Sequence, residues 1–487
     1  MLFDAFRSRA AALPLTSGLR QDGRFLSYAA AAEQAEHAAG VLLARGVTPG
    51  SAVALLIPNS PELFVAVEAC FAIGAIAVPL SLVSSPRELE WVRTSCDIRT
   101  VVAIPAAQDA ATLLVANTGM TAIEASVSGL FAPVAAPHLP QVPDTAVAAY
   151  LFSSGSTGRP KVVPHTHAEL YADGLATAAA IGFTPDDVIL NALPGHHAFG
   201  FMNAMSEALA GGATTLFWSD PQPLLMSRDR LLTTLAAERV TVLPGVPFLF
   251  DTLAGSALSA DLGRLRYVYS SGVGMRRPVY ERFGDRFGIR VRQAYGSTET
   301  GFIAANMSAD TGLWDSVGPP VDQVTIEILP TESATAHGAG EILIRSPSIT
   351  RGYLDNAPAN AASFVDGGFL SGDLGRLDGD GNVFITGRSK LILEVAGHKV
   401  DPIEIEDVLA AHPAVEEAVV VGVPNPRTGE QRLKAVVVLR GEVTADALLR
   451  HGRGLLSAHK VPETIEFRDQ IPRSAAGKVL RGKLMED

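Results

Sequence analysis

The stretch AVAAYLFSSGSTGRPK occupies residues 146–161. Its first seven residues are an apolar run of the length of a buried strand. The next nine, 153–161, include six Ser, Thr or Gly and close on Arg-Pro-Lys. Gly155 and Gly158 let successive backbone N–H groups approach an anion closely. Ser153, Ser154, Ser156 and Thr157 add hydroxyl donors, and Lys161 adds a point charge suited to phosphate oxygens. A Walker loop requires G-x-x-x-x-G-K-[ST] opening a helix. Here the glycines are three apart, Pro160 precedes the lysine and Val162 follows it. Pro160 has no N–H and biases Arg159 away from helix. The expectation is a strand followed by a phosphate-holding loop, and not a P-loop NTPase. On this stretch alone, a solvated Ser/Gly linker is the competing reading.

On either side of it, strands and helices alternate. Residues 28–45 are Ala-rich and helical, ending before Gly46; 51–58 read as a buried strand, 61–73 as a helix, and AIAVPL (75–80) as a strand. Further strands are expected within 186–194, 211–218, 240–247 and 265–272, which together suggest parallel α/β layers. From about residue 316 the texture changes to short alternating strands broken by Gly and Asp-Gly turns. After residue 390 comes a unit of about one hundred residues: a helix at 401–413, two apolar strands, and a helix at 443–458. No fixed period links the segments, which excludes a solenoid.

The 487 residues call for at least two domains. A net charge of −12 argues against general nucleic-acid binding. Two cysteines, Cys70 and Cys96, make neither a disulfide framework nor a metal cluster; both read as small buried hydrophobes in a reducing cytoplasm. The first residues lack the basic start and long apolar run of a signal peptide. The nearest approach to a membrane span, 63–83, is interrupted by Glu68, Gly74 and Pro79, so a buried helix and strand are expected instead.

Three more motifs accompany the loop: QAYGSTETG (293–301), SGDLGRLDGDGNVFITGRSK (371–390), and PRSAAGKVLRGKL around Lys478. In this order, the four resemble the superfamily of adenylate-forming enzymes: acyl-CoA and aryl-CoA synthetases, peptide-synthetase adenylation domains and beetle luciferases. The resemblance runs from about residue 25 to 485. It implies an α/β fold with a large N-terminal domain (1–388) of α/β layers, including a small β-rich subdomain at about 316–388. A small mobile α+β C-terminal domain (391–487) would turn about a hinge at 389–390, with Lys390 at the bend.

The activity implied is ATP- and Mg²⁺-dependent conversion of a carboxylic acid to an acyl-adenylate. The acyl group then passes to the thiol of CoA or of a carrier protein's phosphopantetheine arm. The loop 153–161 would wrap the β- and γ-phosphates, Tyr295 would lie against adenine, and Thr298 would hydrogen-bond the α-phosphate. Glu299 would hold Mg²⁺, Asp373 would accept both ribose hydroxyls, and Arg388 would sit on the ribose and phosphate side. Lys478 would arrive with the mobile domain to bridge carboxylate and nucleotide, and Gly397 would line the thiol tunnel. Apart from the family, Glu299 reads equally well as a helix N-terminal acid, Asp373 as a turn residue, Arg388 as a surface residue and Lys478 as one of several exposed lysines.

LPGHHAFGFMNAM (193–205) would border the acyl pocket. It has no acid before Glu207, which disfavours an α-amino acid substrate. His197 would contact the reacting carboxylate or gate the thiol tunnel, with Phe199 and Asn203 four apart on one helical face. Gly272, Val273 and Ala294 would complete the pocket. Val273 and Ala294 stand where the family often has Gly, so a small or medium aryl or acyl acid is expected rather than a long fatty acid. A luciferase-like oxygenase is disfavoured by Glu394, where luciferases carry Lys. A non-catalytic binding protein is disfavoured by retention of Lys161, Glu299, Asp373, Arg388 and Lys478.

Overall fold

The computed structural model describes the chain except residues 1, 116–119, 127, 133–136, 154–159, 219, 221–223, 332–337, 389–390, 392, 396–397, 425–430, 474–478 and 486–487. The chain divides into two compact units. The first comprises Met1–Ile326, Ile344–Phe369 and Gly381–Val383; the second comprises Glu327–Leu343, Leu370–Asp380 and Phe384–Asp487. The β-rich stretch 316–388 is thus shared between them.

The first unit is built on two sheets with helical layers, the α/β class expected. One sheet has six strands in the order Thr121–Glu124, Thr100–Ala103, Ala52–Leu56, Ile76–Pro79, Val147–Ser153, Lys161–Thr166. Its pairs are parallel except the last, which is antiparallel and brackets residues 154–160. The other sheet has eight strands: Gly301–Ala305, Arg292–Ser297, Tyr267–Ser270, Val242–Gly245, Val188–Asn191, Thr214–Phe217, Gly18–Gln21, Arg24–Ser27. It is parallel at its centre and closed by an antiparallel pair at each edge. The edge hairpin at 18–27 turns through Asp22 and Gly23, both at positive φ (47° and 76°). An Asp-Gly pair suits that geometry.

Helix Pro61–Ile73 shows how the layers are specified. Ser60 caps it by accepting from Leu63 N at 3.2 Å, Pro61 opens its first turn, and Gly74 ends it in the left-handed conformation (φ 69°). Every residue but Glu62 is buried, so the helix is apolar all round rather than on one face. It packs against helix Tyr28–Ala44. Glu68 lies within it, fully buried, and burial pushes its carboxyl well above the usual range. Cys70 in the same helix and Cys96 are also buried, and burial pushes both thiols up to about 12. Residues 63–83 thus form a helix and a strand. No described helix is long and apolar enough to cross a membrane.

The second unit contains a three-stranded sheet, Val415–Pro424, Gln431–Leu439 and Thr464–Phe467, antiparallel then parallel. Residues of helices Pro402–Ala410 and Ala445–Leu455 join one of its two apolar clusters, and Ile471 and Leu484 join the other. Strands Gly368–Leu377 and Val383–Arg388 pair with each other.

Candidate active site

The hairpin ladder runs up to the pair Ser153↔Lys161, the last before the loop. Ser154, Gly155, Ser156, Thr157 and Gly158 lie outside the described residues. The strand after the loop leads to a helix only at His167, so the arrangement is strand–loop–strand. That geometry is distinct from a Walker loop, as Pro160 implied. The Lys161 ammonium lies 4.0 Å from the centroid of the Tyr353 ring.

The second motif is also a hairpin, Arg292–Ser297 with Gly301–Ala305, and its register shifts between Tyr295 and Gly296. Thr298 and Glu299 occupy its turn. Glu299 therefore does not begin a helix. Each of the three turn carbonyls, Thr298 to Thr300, has a partner. His165, in strand Lys161–Thr166 of the neighbouring hairpin, donates from Nε2 to the Thr298 carbonyl at 2.7 Å. The Glu299 carbonyl accepts from Thr350 N at 2.9 Å, and the Thr300 carbonyl from Ser348 Oγ at 2.7 Å. Ser297 Oγ and Thr300 Oγ1 are 2.9 Å apart. Asp173 Oδ1, from helix His167–Ile181, accepts from Phe302 N at 2.6 Å.

His165 is fully buried, and burial lowers its pKa to about 4, so it stays neutral. Asp173 is 1% exposed, and burial pushes its carboxyl up to about 7. Only glycine fits at 301. Its φ is +71°, and a Cβ there would stand 2.1 Å from Asp173 Oδ1.

Glu299 is 8% exposed, and its Oε1 accepts from the Tyr353 hydroxyl at 2.8 Å. Among the described residues, no cluster of three or more His, Cys, Asp or Glu could hold a metal ion. A single carboxylate nevertheless fits Mg²⁺, which commonly binds one or two carboxylates and completes its octahedron with substrate phosphates and water. Tyr295 and Ala294 are buried in the strand that precedes the turn.

On the expected acyl side, His197 precedes the short helix Ala198–Met202, and a π-helical turn follows at Asn203–Glu207. Such turns are frequent at functional sites. Phe199 sits in the α-helical part and Asn203 opens the π turn, so the simple four-residue spacing of a continuous α-helix is broken. Phe199 pairs with Tyr269, centroids 5.9 Å apart. Asn203 is fully buried, and its amide makes no hydrogen bond to any described residue. The His196 and His197 rings are 5.2 Å apart. Burial, then the His197 charge, lowers His196 to about 4. Gly272 has φ +82°. Val273 is 51% exposed and Ala294 5%, so of the two positions expected to fill a pocket floor only Ala294 is buried.

In the second unit, Asp373 lies within strand Gly368–Leu377 rather than in a turn. Arg388 Nε donates to its Oδ1 at 2.6 Å from the adjacent strand. The Asp373 side chain is 5% exposed and that of Arg388 47%. Lys390, Gly397 and Lys478 lie outside the described residues.

The sequence reading missed His165, Asp173, Ser348, Thr350 and Tyr353. Asp173 and Glu169 are acids one turn apart in a helix otherwise rich in Ala, a signal open to reading. Thr350 and Tyr353 come from a loop without a periodic pattern.

A family model described as AMP-binding enzyme matches residues 6–354, and one described as AMP-binding enzyme C-terminal domain matches 404–478. The chain is 30% identical over 483 residues to a feruloyl-CoA synthase of an Amycolatopsis species, covering 98% of this chain and 96% of that protein. It is 31% identical over 489 residues to an indoleacetate–CoA ligase of Aromatoleum aromaticum, covering 96% and 94%. Its fold resembles that of ATP-bound MatB from Rhodopseudomonas palustris with a TM-score of 0.91 at 28% identity, covering 100% and 98%.

Proposed function

Because this chain belongs to the family of AMP-binding enzymes, we propose that it is an acid–thiol ligase that activates a small or medium aryl or acyl acid with ATP and passes it to CoA. The observation that carries this reading is the pinned turn at 298–299. Its Glu299 carboxylate and the lysine that follows the loop both meet the side chain of Tyr353.

In the first half-reaction a carboxylate oxygen attacks the α-phosphorus of ATP. The bond to the β-phosphate oxygen breaks, and pyrophosphate leaves. Two anions must be brought together, so positioning and charge neutralisation carry the catalysis. Residues 153–161 hold the β- and γ-phosphates, Lys161 supplies a cation, and the Thr298 hydroxyl donates to the α-phosphate. Tyr295 packs on adenine, Asp373 accepts the ribose hydroxyls, and Arg388 orients that carboxylate. Glu299 is the residue that would hold Mg²⁺, which when bound screens the phosphate charge.

His197, Phe199, Asn203, Gly272, Val273 and Ala294 border the acid. In the second half-reaction the thiol sulfur attacks the acyl carbon and AMP leaves. Lys478 serves the first step and Gly397 lines the approach to the second, with residues 391–487 turning about 389–390 between them.

The test is ATP–pyrophosphate exchange across a panel of acids, followed by thioester formation with CoA or a carrier protein. Aromatic and short acids are expected to support exchange better than palmitate, and CoA to accept the product. No exchange with any acid would refute an adenylating role.

A further inference from the structure

Residues 348–354 form a strap between the two hairpins of the site. Ser348 and Thr350 hold the carbonyls of Thr300 and Glu299. Thr350 Oγ1 donates to the Pro164 carbonyl, and Leu354 N donates to Val162 O at 3.0 Å. The strap is thereby stitched to the strand that leaves the phosphate loop and to the turn that carries Glu299. Near its end stands Tyr353, 5% exposed. Its backbone is locked by Asn360, which accepts from Tyr353 N at 2.7 Å and donates to Tyr353 O at 2.9 Å. Its ring is braced edge-on by Phe364, centroids 5.5 Å apart. A residue fixed at backbone and ring has little freedom in where it points its hydroxyl.

That hydroxyl donates to Glu299 Oε1 at 2.8 Å, while the face of the same ring carries the Lys161 ammonium at 4.0 Å. One side chain thus touches both the carboxylate and the cation that the ligase reading assigns to the triphosphate. An ammonium over an aromatic face is attracted by the ring's quadrupole. A hydroxyl bonded to one carboxylate oxygen restricts the carboxylate's rotation and leaves the other oxygen for a further partner. Partners of this kind set the orientation of metal-ligating carboxylates.

We propose that Tyr353 is a positioning residue of the reaction: its hydroxyl orients the Glu299 carboxylate toward the metal–triphosphate, and its ring steers Lys161 alongside. The inference rests on the ligase reading. Tyr353 acts through Glu299 and Lys161.

Tyr353→Phe removes the hydroxyl and keeps the ring; Tyr353→Leu removes both. Mn²⁺ serves as the probe, titrated by electron paramagnetic resonance in the presence of protein and a non-cleavable ATP analogue. The Mn²⁺ needed for half-saturation of the Tyr353→Phe protein is expected to rise about 10-fold, as for other partners of metal ligands. Its melting temperature and the KM for the acid should stay near parental values. Tyr353→Leu should show the same metal defect and, in addition, a raised KM for ATP. In a Glu299→Gln background, Tyr353→Phe should add nothing to the metal defect.

A Tyr353→Phe protein with parental Mn²⁺ dependence, or one whose defect adds fully to that of Glu299→Gln, overturns the proposal. So does an equal rise of every KM with a lowered melting temperature, the mark of a merely structural tyrosine. If the parental protein supports no pyrophosphate exchange, the ligase reading itself has failed. If it does and Tyr353→Phe matches it throughout, only the role of Tyr353 has.

Discussion

Asp173 and Gly301 show how one pair of residues fixes the geometry of the hairpin that carries Glu299. The carboxylate reaches the Phe302 amide because position 301 has no Cβ to stand in its way. Gly301→Ala meets two penalties: the left-handed backbone, worth about 1–2 kcal/mol, and the collision with Asp173. A lowered melting temperature and a loss of exchange activity are expected together. Asp173 also makes stability depend on pH. Its folded pKa lies near 7 against an ordinary 3.8, raised by burial. Between those values the folded chain keeps a proton that the unfolded chain has released, so the group's contribution falls as pH rises from about 4 to 7. Each unit of that displacement is worth about 1.4 kcal/mol. Asp173→Asn keeps an oxygen for Phe302 N and carries no charge. Calorimetry should find it equal to the parent near pH 4 and increasingly more stable toward pH 8. Parallel melting curves at all pH values would contradict this account.

Among the elements, the π-helical turn Asn203–Glu207 stands out because it holds a fully buried amide with no hydrogen bond to the described residues. A buried polar group without a partner costs about 1–3 kcal/mol. Asn203→Leu should therefore hold or raise the melting temperature while shifting acid preference toward less polar substrates. A destabilised variant with unchanged preference would show that the amide serves the fold. The strands and helices of the layers were readable from the sequence because apolar runs of four to six residues between Gly and Pro are nearly unambiguous when helices alternate with them. Helix 61–73 could be bounded to the residue, since Ser60, Pro61 and Gly74 are all end signals. The edge hairpin at 18–27 was missed although Asp22-Gly23 announces it, since its strands are four residues each and only partly apolar. The π turn was not readable at all, because nothing in MNAMSE distinguishes a widened helical turn from an ordinary one. Of the site, residues that would touch nucleotide were legible as motifs. Those that hold them, such as His165 and Thr350, act through distant backbone carbonyls, which no local pattern encodes.

Across the whole molecule, the ligase reading assigns the two half-reactions to different dispositions of the C-terminal residues. Lys478→Ala tests it directly. Loss of a positioned cation should slow acyl-adenylate formation roughly 10²- to 10³-fold, yet leave conversion of supplied acyl-adenylate to thioester nearly intact. Rapid-quench measurements of each step separate the two, and equal damage to both would make Lys478 structural. The fold class, a large N-terminal α/β part and a smaller C-terminal one, was legible from the order of four motifs, whereas the sharing of 316–388 between two compact units depends on long-range strand pairing that composition does not report. The two cysteines have a practical corollary. Both thiols are enclosed and held protonated far above neutral pH, and only a thiolate exchanges with an aromatic disulfide. The native enzyme is therefore silent toward such a dye, and a continuous colorimetric trace reads disappearing coenzyme sulfhydryl without background. Colour that instead scales with protein concentration flags denatured material in the preparation.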